Sequence, residues 1–105
     1  MKPEQRYSIF ARDGFICQTC GKPVYNRQPQ IAHRIKQGKQ SVNFLLKEKK
    51  CLTVKQAEAI LNHELNLVTT CSLKCNDSQN IFFKPVERDE LIEQILKEVD
   101  TWNTK

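Results

Sequence analysis

Apolar residues recur along this chain at helical spacing in some stretches and at strand spacing in others. Tyr7, Phe10 and Ala11 fall on one side of a helix predicted over Pro3 to Arg12, which Asp13-Gly14 would stop, because glycine enters the left-handed conformation without a steric cost. Ile31-Ala32-His33-Arg34-Ile35 alternates as a short strand does, with Ile31, His33 and Ile35 sharing a face. Leu65 to Thr70 is β-prone and would lie back against that strand. Pro29 argues against a central strand over Val24 to Gln30. Thr53-Val54-Lys55-Gln56 has the form of a capping box, and Val54, Ala57, Ile60 and Leu61 fall within one arc of the helix it opens, ending near Asn62. From Ser72 a helix is predicted to about Phe82, carrying Cys75, Asn76 and Asn80, with Pro85 as its breaker. Val86 to Trp102 places Leu91, Ile92, Ile95, Leu96, Val99 and Trp102 on one face of a last amphipathic helix. Lys36 to Lys50 reads as an exposed excursion around Gly38, packed only by Val42, Phe44, Leu45 and Leu46.

The order is helix, turn, strand, insertion with a helix, strand, helix and final helix, an α+β arrangement. At 105 residues the chain is expected to be one domain, 1–105, with its core over about 12–83. No run approaches the apolar length of a membrane span, and the charged N-terminus lacks a secretory pattern, so a soluble cytoplasmic protein is expected.

Charge adds a partner class. The net charge is +5 and the pI about 9.0, and Arg34 to Lys50 holds six cations (Arg34, Lys36, Lys39, Lys47, Lys49, Lys50) against Glu48 alone. A lysine-rich stretch by itself is an ordinary solvated face; its position directly after His33 points to a polyanion, with phosphate first.

Cysteine spacing supplies the chemistry. Cys17-Gln-Thr-Cys20-Gly21 is the form of a zinc knuckle, and Cys71-Ser-Leu-Lys-Cys75 is a second pair that one helical turn accommodates. Two such pairs make the four-sulfur set of a structural Zn²⁺ site. The odd cysteine count and the absence of a secretory segment speak against disulfides. Cys51, outside both pairs, reads as a small buried hydrophobe.

Arg12 to Gly21, Ala32-His33-Arg34-Ile35, Asn66-Leu67-Val68 and Cys71 to Asn76 together resemble the zinc-bearing branch of the HNH endonucleases, in the order that family uses and over about three quarters of the chain. The resemblance implies a ββα-metal fold (the His-Me finger) stapled by zinc, with flanking helices added. It implies a metal-dependent DNA endonuclease that hydrolyses phosphodiesters and leaves 5′-phosphate and 3′-hydroxyl ends. His33 would be the general base on the attacking water, Asn66 would tie the hairpin and orient the histidine, and Asn76 would ligate a catalytic Mg²⁺ or Mn²⁺. Many members carry Asp before the base, where this chain has Ala32. His63 and Asn80, the latter i+4 from Asn76, are the expected substitutes. Arg34, Lys36 and Lys39 would grip phosphates, giving salt-sensitive binding with little base readout. The resemblance also implies a kinship with small nucleases of phages and mobile elements, which often act with packaging proteins, in a bacterial or phage-infected host.

Two other readings start from the same residues. Ala32 fits a zinc-binding, nucleic-acid-binding module whose HNH site is inactive. The apolar stripe of the last helix fits a homodimer seam as well as an intramolecular face.

Overall fold

The computed structural model describes residues 2–24, 29–48 and 53–99, and the chain forms two compact units. Cys51, Lys49, Lys50 and Trp102 lie outside the described residues. Among the described residues no helix is long and apolar enough to cross a membrane.

The first unit joins residues 1–34 to 67–80. Helix α1 (Pro3–Arg12) begins with proline at its first turn and buries Ile9 and Phe10, whereas Tyr7 is exposed and stacks edge-on against Phe15. The expected face of Tyr7, Phe10 and Ala11 is thus rotated toward Ile9. Gly14 (φ 67°) and Phe15 (φ 56°) both take the left-handed conformation as α1 ends, a rare one for a side chain as bulky as Phe15. Strands β1 (Gln30–His33) and β2 (Leu67–Thr70) pair antiparallel, with His33 opposite Leu67 and Ala32 opposite Val68.

Alternation along β1 runs opposite to the pattern expected from the sequence. Ala32 is fully buried while Ile31 and His33 are half-buried, so the small residue faces the interior. Ile35 does not extend that face, because the strand ends at His33.

Beyond β2, Ser72 caps helix α4 (Leu73–Ser78) by accepting the Cys75 amide hydrogen. This helix stops well short of Phe82. Asn80 therefore lies beyond the helix, not one turn above Asn76 on its face.

The outer edge of β2 is covered without a third strand. Asp13 accepts the Thr69 amide at 2.8 Å, Gln18 N donates to the Thr69 carbonyl at 2.9 Å, and Arg12 Nη2 donates to the Leu67 carbonyl at 2.6 Å. Arg12 and Asp13 also pair with each other at 3.0 Å. The end of α1 thereby satisfies backbone groups that an edge strand leaves open.

The second unit joins residues 35–66 to 81–105. Lys39–Glu48, expected as an excursion, is a helix (α2) that buries Ser41 and Leu45. Its apolar residues sit beside lysines and amides, so the helical period shows only once Leu45 has a core to enter. Helix α3 (Val54–Leu61) has the complete capping box: Thr53 Oγ1 accepts from Gln56 N and Gln56 Oε1 accepts from Thr53 N, both at 3.1 Å. A single 3₁₀ turn, Glu64–Asn66, occupies the start of the run expected as strand. Helix α5 (Pro85–Glu98) takes Pro85 as its first residue, where the missing amide costs nothing, so that proline opens a helix and does not merely break one.

One core holds these helices. Ile35, Leu45, Ile60, Leu61, Ile81, Phe82, Leu91, Ile92 and Ile95 form a continuous buried cluster. The α5 stripe of Leu91, Ile92 and Ile95 is thus occupied within the unit. Arg88 stacks 4.1 Å over the Phe44 ring and donates to the Phe82 carbonyl, fixing the loop into α5.

Asn66 is the polar centre of this unit. Fully buried, it accepts Ile35 N–H at 2.7 Å and donates to the carbonyls of Ile35 (3.1 Å) and Leu61 (2.7 Å). Asn66→Ala strands the amide and both carbonyls in the interior and is expected to destabilise the fold by about 3 kcal/mol or more. A denaturant midpoint within error of wild type would remove this role.

Candidate metal centre

The four paired cysteines converge in the first unit. Their Sγ atoms all lie within 4.8 Å of one another. Cys20 to Cys71 is 3.6 Å and Cys71 to Cys75 is 3.8 Å. A tetrahedral ion with Zn–S bonds of about 2.3 Å spaces its sulfurs by about 3.8 Å, close to these two distances, so the four sulfurs are placed where they could hold a metal. The same distances are far beyond the roughly 2.05 Å of a disulfide.

Local chain geometry explains the convergence. Cys17 N donates to the Lys22 carbonyl and Gly21 N to the Cys17 carbonyl, both at 2.9 Å, closing a knuckle whose turn uses the positive φ of Gly21 (77°). Ile16 and Pro23 pair across its base. On the other side Cys71 follows β2 directly, and Cys75 sits in the first turn of α4. Thr19 joins the two halves: its hydroxyl donates to the Cys75 carbonyl and accepts from Gln79 Nε2, both at 2.8 Å. Neither Thr19 nor Gln79 carries a signal in the sequence, because the partners stand 56 or more positions apart and meet only when the chain between them has folded.

The cluster is electrostatically uneven. Burial pushes the Cys17 thiol up, but the amides of Cys20, Thr19 and Cys71 and the Cys20 thiol outweigh it and bring it down to about 6. Cys71 goes the other way, to about 11, because the Cys20 thiol, burial and the remaining sulfurs all disfavour a second negative charge. Cys17 is thus the thiol drawn toward the thiolate and Cys71 the one held protonated, so a cation entering the cluster displaces protons from it.

No family model, curated protein or solved structure matches the chain. Among the described residues, the four cysteines are the one group of three or more His, Cys, Asp or Glu side chains placed to hold an ion.

The remaining candidate residues divide between the units. In the first, His33 ends β1 half-buried, and α4 packs on β1, with Asn76 Nδ2 donating to the Ile31 carbonyl at 3.3 Å. Two residues of strand separate Ile31 from His33, about 7 Å of rise. Asn76 and His33 are thus brought to the same strand. Ala32 points to the opposite, buried face from His33, so a carboxylate at that position would enter the interior. Arg34 is half-buried.

In the second unit Lys36 and Lys39 are exposed. His63 is engaged locally, its Nδ1 accepting the Leu65 amide at 3.1 Å, which in the neutral ring places the proton on Nε2. With one nitrogen accepting and the other protonated, the ring offers a cation no lone pair. His63→Ala is therefore expected to leave Mn²⁺ affinity unchanged, and a severalfold loss by isothermal titration would restore it as a ligand.

Proposed function

We propose that the chain is a zinc-stapled, metal-dependent DNA endonuclease of the ββα-metal type, with His33 as general base. The observation that carries the reading is the order β1, β2, α4 within one unit. His33 ends the first strand, Asn76 on α4 is hydrogen-bonded to that strand, and the four cysteines clamp α4 to the knuckle.

The chemistry follows from those placements. A neutral imidazole at a strand end can take the proton of an attacking water. Because Asn76 uses Nδ2 on Ile31, its Oδ1 is the atom available to a hard cation, alongside waters. A divalent ion held there would supply charge stabilisation for the phosphate and the departing 3′ oxygen. The cysteine-bound zinc, with four sulfurs and no open position, is structural. Asn66 positions by holding the backbone of Ile35, two residues after His33 in the chain.

Supercoiled plasmid incubated with zinc-loaded protein tests the reading. Conversion to nicked circles that requires added Mg²⁺ or Mn²⁺ is the expected outcome. Retention of the supercoiled form under every divalent metal would leave the non-catalytic nucleic-acid-binding reading in its place.

A further inference from the structure

In the second unit α2 and α5 differ in charge, while α3 is mixed, exposing Lys55 and Glu58. Between Ile35 and Lys47 every charged residue is a lysine, whereas α5 exposes Glu87, Glu90, Glu93 and Glu98 against Lys97. A polyanion approaching this unit is drawn to α2 and repelled from α5.

The exposed side of α2 has a further pattern. At about 100° per residue, Lys39, Gln40, Asn43 and Lys47 fall within an arc of about 100°, centred roughly opposite the buried pair Ser41 and Leu45. All four are exposed, and Glu48 lies outside the arc. Lys39 and Lys47 are eight residues apart, about 12 Å along the axis, which matches the width of the DNA major groove. Lys36, also exposed, continues the cationic run one turn before the helix.

We propose that α2 is a duplex-reading helix: Lys36, Lys39 and Lys47 hold phosphates on the rims of a major groove while Gln40 and Asn43 meet base edges between them. It rests on DNA being the substrate and departs from the expectation of little base readout. The amides carry the distinction. Lysines alone would attract any polyanion, but a carboxamide offers a donor and an acceptor in the plane that matches adenine N7 and N6. An exposed helix face bearing two carboxamides between lysines has the composition of direct readout, with positioning and specifying groups on one surface. The side chains concerned make no part of the core, so their conservative removal leaves the fold intact.

The test is equilibrium binding of the zinc-loaded full chain to fluorescent duplexes without added divalent metal, over roughly 50 to 300 mM KCl, after selecting a preferred duplex from a randomised pool. Lys39→Ala and Lys47→Ala should each weaken preferred and random duplexes alike and lower the slope of log affinity against log salt by about 0.9. Asn43→Ala should keep the slope and lose roughly 5- to 100-fold on the preferred duplex only. Lys97→Ala on α5 should change neither. Unchanged affinity and slope in Lys39→Ala/Lys47→Ala, a uniform loss in Asn43→Ala, or no preferred duplex from the pool would each overturn the proposal. These readouts need no cleavage. A protein that shows them without nicking plasmid fails as a nuclease and stands as a reader, and one that nicks without them is the converse.

Discussion

Replacing Cys75 with serine, or stripping the metal with a chelator, is expected to cost the first unit its fold while the second stays folded. The asymmetry lies in the cores. Fully buried large aliphatic side chains in the first unit are Ile9, Val24 and Leu67, whereas the second has Ile35, Leu45, Ile60, Leu61, Ile92 and Ile95 in one cluster. Binding of a structural zinc is worth about 10–16 kcal/mol in small domains, comparable to the whole stability of a domain. Residues 1–34 and 67–80 are joined by the β1–β2 pairing, the four-sulfur cluster, the Thr19 bridge and the Arg12–Asp13 clamp, with few large apolar side chains behind them. Amide exchange read by NMR checks this directly. Protection of Ile9, Cys17 and Leu67 should collapse on chelation while that of Leu45 and Ile92 persists, and full retention of both sets would show that the cluster is not a staple.

The same cluster predicts a pH dependence. Cys17 is a thiolate above about 6 and Cys71 holds its proton until about 11, so metal uptake at neutral pH must expel at least the Cys71 proton. Protons and metal compete, so affinity falls as pH is lowered, and more steeply once the medium passes below about 6 and Cys17 also protonates. Calorimetry in buffers of different ionisation heat measures the release. A proton count of zero would contradict this account.

His33→Ala is expected to lower plasmid nicking by about 10²- to 10⁴-fold, the usual contribution of a general base. Two readouts separate chemistry from folding. The side chain is half-buried at a strand end, so thermal stability should hold near the wild-type value. Added imidazole should restore part of the activity. Nicking at the wild-type rate by the variant would move the base elsewhere in the chain.

How much of this is legible in the residues differs by element. The capping box at Thr53 and Gln56 is legible to the atom, because both of its bonds are local and depend on identity at fixed spacing. Helix α1 is legible in its limits but not in its buried face, since Ile9 and Tyr7 are both apolar by type and only a partner surface separates them. Helix α2 is hidden because its apolar residues cluster beside lysines, and a core elsewhere in the unit decides which of them are used. Helix α4 ends earlier than its pattern suggests, at Ser78, with Gln79 as its C-cap. The Arg12–Asp13 clamp and the Thr19 bridge each join residues 55 or more positions apart and leave no trace in local pattern.

The sequence by itself determined the chemistry on offer: two cysteine pairs, a histidine in a strand, a cationic run after it, one asparagine within the second β-prone run and another directly after the last cysteine of the second pair. These depend on residue type and spacing, and both survive without a fold. Only the tertiary structure decided which thiol is drawn toward the thiolate, that Ala32 and not His33 faces inward, that His63 spends its lone pair on Leu65, and that Lys39 and Lys47 ride on a helix. Each of these is a matter of burial or of a hydrogen-bond partner, and the neighbours responsible are supplied by packing, not by the order of residues alone.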